Sequence, residues 1–336
     1  MNDAPTHSHR GAPALALFLG CMSIVPAAQA HLLASDSIAC GGTTQVGQAG
    51  GVGWSSAWIA DVGQNAVFVP AASSLQGLLG PPTLGGALNY HGTGLNSNGA
   101  RIYRPLDIDP GSAANTLGLT DSHTTFFGNQ QYGYGAPGTA LWLGFLLNGG
   151  SAGNGLPGAT YEAQVHLYDG MDLTKLSQRD NNKDGEVMAI GRGAGNFQWN
   201  FERTCAHSPC GGNTNSVNAL STLAMDSQTH WVVLKFDFTN TSSAFGANGG
   251  TKITFWLDPA PGAVDPVASA ALTLSGNSQT NVKTIAMPAL HFNWIEFGGQ
   301  QATFAMDEMR VADTFADLSN GASSFGCDEI FYDGFQ

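Results

Sequence analysis

Apolar and polar residues alternate one for one through several stretches of this chain. In residues 161–168, Tyr161, Ala163, Val165 and Leu167 fall on one face, and Glu162, Gln164 and His166 on the other. In 230–238, Val232, Leu234, Phe236 and Phe238 oppose Lys235 and Asp237. In 252–257, Ile253, Phe255 and Leu257 alternate with Lys252, Thr254 and Trp256. A period of two is the signature of a strand with one buried face. Further strands are predicted over 52–60, 65–70, 86–91, 99–105, 138–148, 186–201, 268–274, 288–297 and 301–312. Clusters of Gly, Asn, Pro and Ser, such as Asn148 to Gly155, separate them. Helical periodicity is nearly absent. So many strands predict an all-β chain of two packed antiparallel sheets, a jelly-roll sandwich.

Composition agrees. Of 336 residues 45 are Gly and only 11% are charged, whereas 43% are hydrophobic, which excludes a disordered chain. A formal charge of −13 with no basic run argues against nucleic acid and anionic membrane surfaces as partners. Residues 1–30 have a polar start, an apolar run from Ala14 to Val25 and the small-residue site Ala28-Gln29-Ala30. They are expected to be a secretory signal peptide, too short in its apolar part to span a bilayer. No later stretch is long and apolar enough to cross one. The remaining residues, about 300, suffice for one large sandwich domain, 31–318, followed by a linker and tail, 319–336. Cys40, Cys205, Cys210 and Cys327 lie beyond the signal. An even count in an oxidising compartment points to disulfides, and of three pairings Cys205–Cys210 with Cys40–Cys327 is favoured.

A family likeness appears at 301–317, where Asp307-Glu308-Met309-Arg310-Val311 resembles the closing strand of concanavalin-A-like, laminin-G-like domains. Gly50 to Trp58, Gly138 to Leu147, Thr229 to Phe238 and Phe255 to Gly262 are similar, in order, to other strands of large secreted bacterial members. The resemblance implies the two-sheet jelly roll and functions that range from sugar binding to adhesion; a shared fold does not choose among them. The ending Ile330-Phe-Tyr-Asp-Gly-Phe335 resembles the Ile-Phe-x-Asp-Gly-Phe tail of many secreted proteins of Gram-negative bacteria.

Three kinds of chemistry suggest themselves. Cleavage after Ala30 would make His31 the first residue, and an N-terminal His can chelate copper through its amine and ring. The competing reading, which we prefer, is a residue that leads into the first strand. Asp180-Asn-Asn-Lys-Asp-Gly-Glu186 matches the first half of a calcium loop, with Asp180, Asn182, Asp184 and Glu186 as oxygen ligands and Gly185 at the sharp turn. The twelfth position is Gly191 rather than Glu, so a full helix–loop–helix site is excluded and a polar turn remains the alternative. Trp256, Tyr132 and Tyr134 are candidate contacts for sugar rings. The paired-carboxylate segment Glu-x-Asp-x-x-Glu used for hydrolysis by related sandwiches is missing.

The leading reading is therefore a secreted, non-catalytic binding or surface-interaction module for extracellular carbohydrate, with calcium as the candidate cofactor. The alternatives are a polysaccharide-active hydrolase whose carboxylate pair is not evident in the sequence, and a purely structural cell-surface or matrix protein.

Overall fold

The computed structural model describes residues 31–36, 51–60, 67–70, 88–91, 100–125, 127–148, 162–171, 185–192, 198–203, 217–224, 228–238, 251–266, 274–275, 283–284, 290–300 and 303–320. In chain order the elements are β1 (Leu32–Asp36), β2 (Ile59–Ala60), β3 (Val67–Pro70), β4 (Leu88–His91), β5 (Ala100–Pro105), α1 (Ala113–Thr116), β6 (Thr120–Thr124) and β7 (Gln130–Tyr134). There follow β8 (Thr139–Asn148), β9 (Glu162–Tyr168), β10 (Glu186–Arg192), β11 (Gln198–Arg203), β12 (Val217–Ala224) and β13 (Thr229–Phe238). The last are β14 (Thr251–Leu257), β15 (Leu274–Ser275), β16 (Lys283–Thr284), β17 (Trp294–Gln300), β18 (Thr303–Ala312) and α2 (Phe315–Asn320).

The strands form two large antiparallel sheets, stacked as a sandwich consistent with a jelly roll. The first runs β16-β14-β13-β8-β18-β4-β3, with β1 also paired to β18. The second runs β15-β12-β11-β10-β9-β17-β5-β2, and β6 and β7 make a separate hairpin. The core lies between the sheets. Leu141, Leu143, Phe145 and Leu147 of β8 meet Val232, Leu234 and Phe236 of β13 there, with Val165, Leu167, Ile190, Ile295 and Phe297 from the second sheet. Alternation sends every second residue of these strands to the outside.

The two outer faces differ. On the first sheet, Trp142, Trp231, Val233, Trp256 and Leu146 form a second apolar layer, closed by Phe315 and Leu318 of α2. Gly144 allows this close approach, since a Cβ there would meet Leu318 Cδ2 at 3.0 Å and Trp231 Nε1 at 3.1 Å. Arg310 holds the helix, donating from Nη1 to the Leu318 carbonyl at 3.2 Å while its Nη2 pairs with Glu308 at 2.8 Å. A cation beside the last carbonyls of a helix is favourably placed. Asp307 and Glu308, adjacent in sequence, lie at an irregularity in the β18–β8 register, with Glu308 at φ 50°.

A buried ion pair ties the sheets together. On β5, Ile102 and Arg104 point inward while Arg101 and Tyr103 point outward. Arg104, 1% exposed, reaches Asp36 of β1 in the other sheet. Trp58 Nε1 also donates to Asp36, at 2.7 Å, and the guanidinium lies 4.7 Å from the Trp54 ring centroid. Burial lowers the Arg104 pKa, and Asp36 opposes that shift.

Several expected elements differ from those observed. Residues 186–201 form two antiparallel strands, β10 and β11, because the chain reverses between the paired residues Arg192 and Trp199. The hairpin β6–β7 occupies a stretch expected to be loop, and β12 and α2 were not anticipated. The four cysteines lie outside the described residues. No described helix is long and apolar enough to cross a membrane.

Removing Asp36 leaves an uncompensated buried guanidinium. Asp36→Ala should cost about 3–5 kcal/mol of folding free energy, read from urea or guanidinium melts; a loss within experimental error would refute the role assigned to this pair.

Candidate functional site

The outer face of the second sheet is polar at its centre. His166 of β9 stands opposite Ala189 of β10 and Glu296 of β17, and Glu296 stands opposite Tyr103 of β5. One pleat along, Tyr168 is opposite Glu186 and Trp294; one pleat the other way, Gln164 is opposite Gly191 and Gly298, and Gly298 is opposite Arg101. These positions share one face.

Glu186 reaches that face through a backbone irregularity. Between Glu186 and Met188 the β10–β9 register slips, so that Met188 opposes Leu167 and Glu186 opposes Tyr168. Regular alternation would send Glu186 the same way as Met188, into the core. The extra residue, Val187, turns it outward, the kind of re-aiming for which β-bulges are used. Just before it Gly185, at φ 82°, sits where a Cβ would be 2.8 Å from the Gly170 carbonyl oxygen.

The side chains converge. The Tyr168 hydroxyl donates to Glu296 Oε2 and lies 3.4 Å from Glu186 Oε2. His166 Nδ1 is 3.3 Å from Glu186 Oε1, and its Nε2 is 3.8 Å from Glu296 Oε1. Arg101 Nη1 is 3.3 Å from Glu296 Oε1. Two carboxylate oxygens that approach one hydroxyl can lie no farther apart than two such contacts end to end, at most about 6 Å. Glu296, Tyr168, His166, Gln164 and Glu186 are all 3% exposed or less. Burial and the two nearby carboxylates push the Tyr168 pKa well above its ordinary value, so its phenol stays a proton donor. Gln164 Nε2 is buried with no hydrogen-bond partner. Trp294 packs on Tyr103 and Tyr168 and is only half-buried.

A second polar group flanks this set. His123 of β6 and His291, which precedes β17, stack with ring centroids 3.8 Å apart. Their partners are Asp169, the residue after Tyr168, and Asp121.

The sequence-predicted residues are distributed as follows. Asp180, Asn182 and Asp184 lie outside the described residues, while the Glu186 carboxylate is turned toward His166 and Tyr168. Trp256, a candidate sugar contact on the side of β14 opposite Ile253 and Phe255, does not reach the surface. It is 3% exposed and stacked 5.5 Å from Trp142 in the layer beneath α2, a packing position. Tyr134 is buried against Phe292, whereas Tyr132 is partly buried at the edge of the core. His31 leads into β1, its backbone N–H donating to Asp313 Oδ1 at 2.9 Å, and among the described residues it belongs to no group of three metal-ligating side chains. Sequence reasoning missed His166 and Glu296 as site residues. The available signal was a pair of polar residues at outward positions of otherwise apolar strands.

No family model and no curated protein matches the chain. Among solved structures, an endo-β-1,4-glucuronan lyase from the fungus Trichoderma reesei is similar with a TM-score of 0.43 and 13% identity, over 80% of this chain and 94% of that one. A structure described under endo-acting O-glycanases that prominent human gut microbiota express to initiate mucin breakdown is similar with a TM-score of 0.38 and 10% identity, over 84% and 100%. Likeness at this level is one of sandwich outline and says nothing of chemistry.

The Tyr168 hydroxyl serves a buried carboxylate, so its removal leaves polar atoms unsatisfied. Tyr168→Phe should lower stability by about 1–3 kcal/mol, measured by chemical denaturation. An unchanged midpoint would mean that the hydroxyl carries no load.

Proposed function

We propose that the protein is a secreted, carbohydrate-active enzyme that cleaves glycosidic bonds on the outer face of its second sheet. The observation that carries the reading is the pair Glu186 and Glu296, gathered on one hydroxyl and one imidazole. Glycoside hydrolysis needs one carboxyl group to protonate the leaving oxygen and another to attack the anomeric carbon or activate water, at separations of about 5–9.5 Å. Arg101 and the Tyr168 hydroxyl both face Glu296, which suits it to the anionic role. Glu186, beside His166, takes the acid role, with the imidazole able to move the proton. Trp294 offers a half-exposed apolar face for a sugar ring, and the unpaired Gln164 amide a donor for a sugar hydroxyl.

A second reading, the non-catalytic binding module, draws support from the burial of the set, since buried polar networks also serve as framework.

Incubation with a panel of acidic and neutral polysaccharides separates the two. The enzyme reading expects new reducing ends, without the ultraviolet-absorbing double bond that elimination would leave, and a fall of at least ~100-fold in rate for Glu186→Gln. Glycan binding with no released product would establish the binding module instead.

A further inference from the structure

The stacked histidines beside the sheet have the features of a cation site. On β6, Asp121 and His123 are two apart and share a face. Gly133 of β7 stands opposite Asp121, and Gly135 follows the strand. A Cβ at 133 would lie 2.8 Å from His123 Cε1 and 3.3 Å from His291 Cβ, and one at 135 would lie 2.6 Å from His291 Cδ2. Both imidazoles occupy space that side chains at 133 and 135 would otherwise fill. The rings stack 11° from parallel.

Their polar contacts are unusual for a closed hydrogen-bond network. His291 Nε2 and Asp121 Oδ1 stand 2.7 Å apart, an ion-pair contact too poorly aligned for a good hydrogen bond. His123 Nε2 meets Asp169 Oδ1 at 2.5 Å, and its Nδ1 is buried with no partner. A buried polar atom in that state is costly until something compensates it. One ligand atom each from Asp121, His123 and His291 lies within 4.8 Å of the others. Around a tetrahedral zinc with bonds of about 2.0–2.2 Å neighbouring ligand atoms stand about 3.4 Å apart, so the 2.7 Å His291–Asp121 contact opens and wider separations close as the ion enters. An imidazole whose other nitrogen rests on a carboxylate, as His123 rests on Asp169, is the usual arrangement of a metal-bound histidine.

We propose that Asp121, His123 and His291 bind a first-row divalent cation, zinc by preference, with Asp169 orienting His123. Two nitrogens and one carboxylate oxygen suit zinc and leave a fourth position for water, whereas calcium asks for six to eight oxygens. The ion pins the β6–β7 hairpin to the end of β9 and the approach to β17, the strands that carry Tyr168 and Trp294. The site stands independently of the glycan-cleaving reading.

The test is zinc titration by calorimetry, with metal content by elemental analysis, on purified protein stripped with chelator. One zinc per chain is expected, with no competition from millimolar calcium and a cobalt-substituted form that shows the intense visible bands of tetrahedral coordination. His291→Ala should abolish the stoichiometric site, and Asp169→Asn should weaken it ~10–100-fold. Should His291→Ala fail to fold, Asp121→Asn, whose parent side chain is 37% exposed, must lose the site in its place. Absence of stoichiometric zinc in the wild type overturns the proposal. So does zinc retained undiminished in Asp121→Asn and His291→Ala, which would locate it elsewhere, for example at the Cys205–Cys210 segment.

Discussion

A carboxylate with no exposed surface must bring its partners with it, and Glu296 sets that requirement for the second sheet. The Born penalty for burying an isolated charge is large, and the effective cost remains several kcal/mol per ion unless hydrogen bonds and counter-charges offset it. The partners come from two neighbouring strands: Arg101 from β5 on one side, and Tyr168 and His166 from β9 on the other. Through His166 and Tyr168 the network extends to Glu186 on β10. Satisfying one buried group thus holds four strands in a single register, since a slip of one residue would turn its partners to the other face.

The two sheets solve the problem of their outer faces differently. The first closes its face with apolar surface, laying α2 over a layer of tryptophans, and Gly144 gives the helix room to approach. The second leaves a polar centre edged by the half-buried Trp294 and, at one end, the two histidines on their glycine cradle. The first arrangement is explained by packing alone. The second carries carboxylates, an imidazole and a phenol where apolar residues would bury more favourably, an arrangement that packing alone does not explain.

The main strands were legible because each has one buried face and so alternates. Val165 and Leu167, or Val232, Leu234 and Phe236, announce a strand without any tertiary information. The β6–β7 hairpin was not legible: Thr-Asp-Ser-His-Thr has no apolar alternation, and Gln-Gln-Tyr-Gly-Tyr alternates only at Tyr132 and Tyr134, too short a run to announce a strand; their pairing rests on the turn and on docking beside His291. The site was hidden for two physical reasons. His166 and Glu296 are 130 positions apart and meet only through strand pairing. Glu186 reads locally as the end of an Asp-Asn-Asp-Gly turn, and only the bulge at Val187 aims it at His166. Outward polar positions on a strand also read as solvated, whereas Gln164 and His166 are each 2% exposed.

The proposed enzyme needs the Glu296 carboxylate for chemistry, beyond its part in strand register. The direct measurement is Glu296→Gln, followed side by side for melting temperature and for sugar release from a responsive polysaccharide. Gln keeps the size of Glu296 and still offers an oxygen to Tyr168 and Arg101, so the melting temperature should fall by only a few degrees, while cleavage drops to background. A melting temperature lowered by many degrees, with cleavage retained in the folded fraction, would contradict the claim and make Glu296 a structural carboxylate.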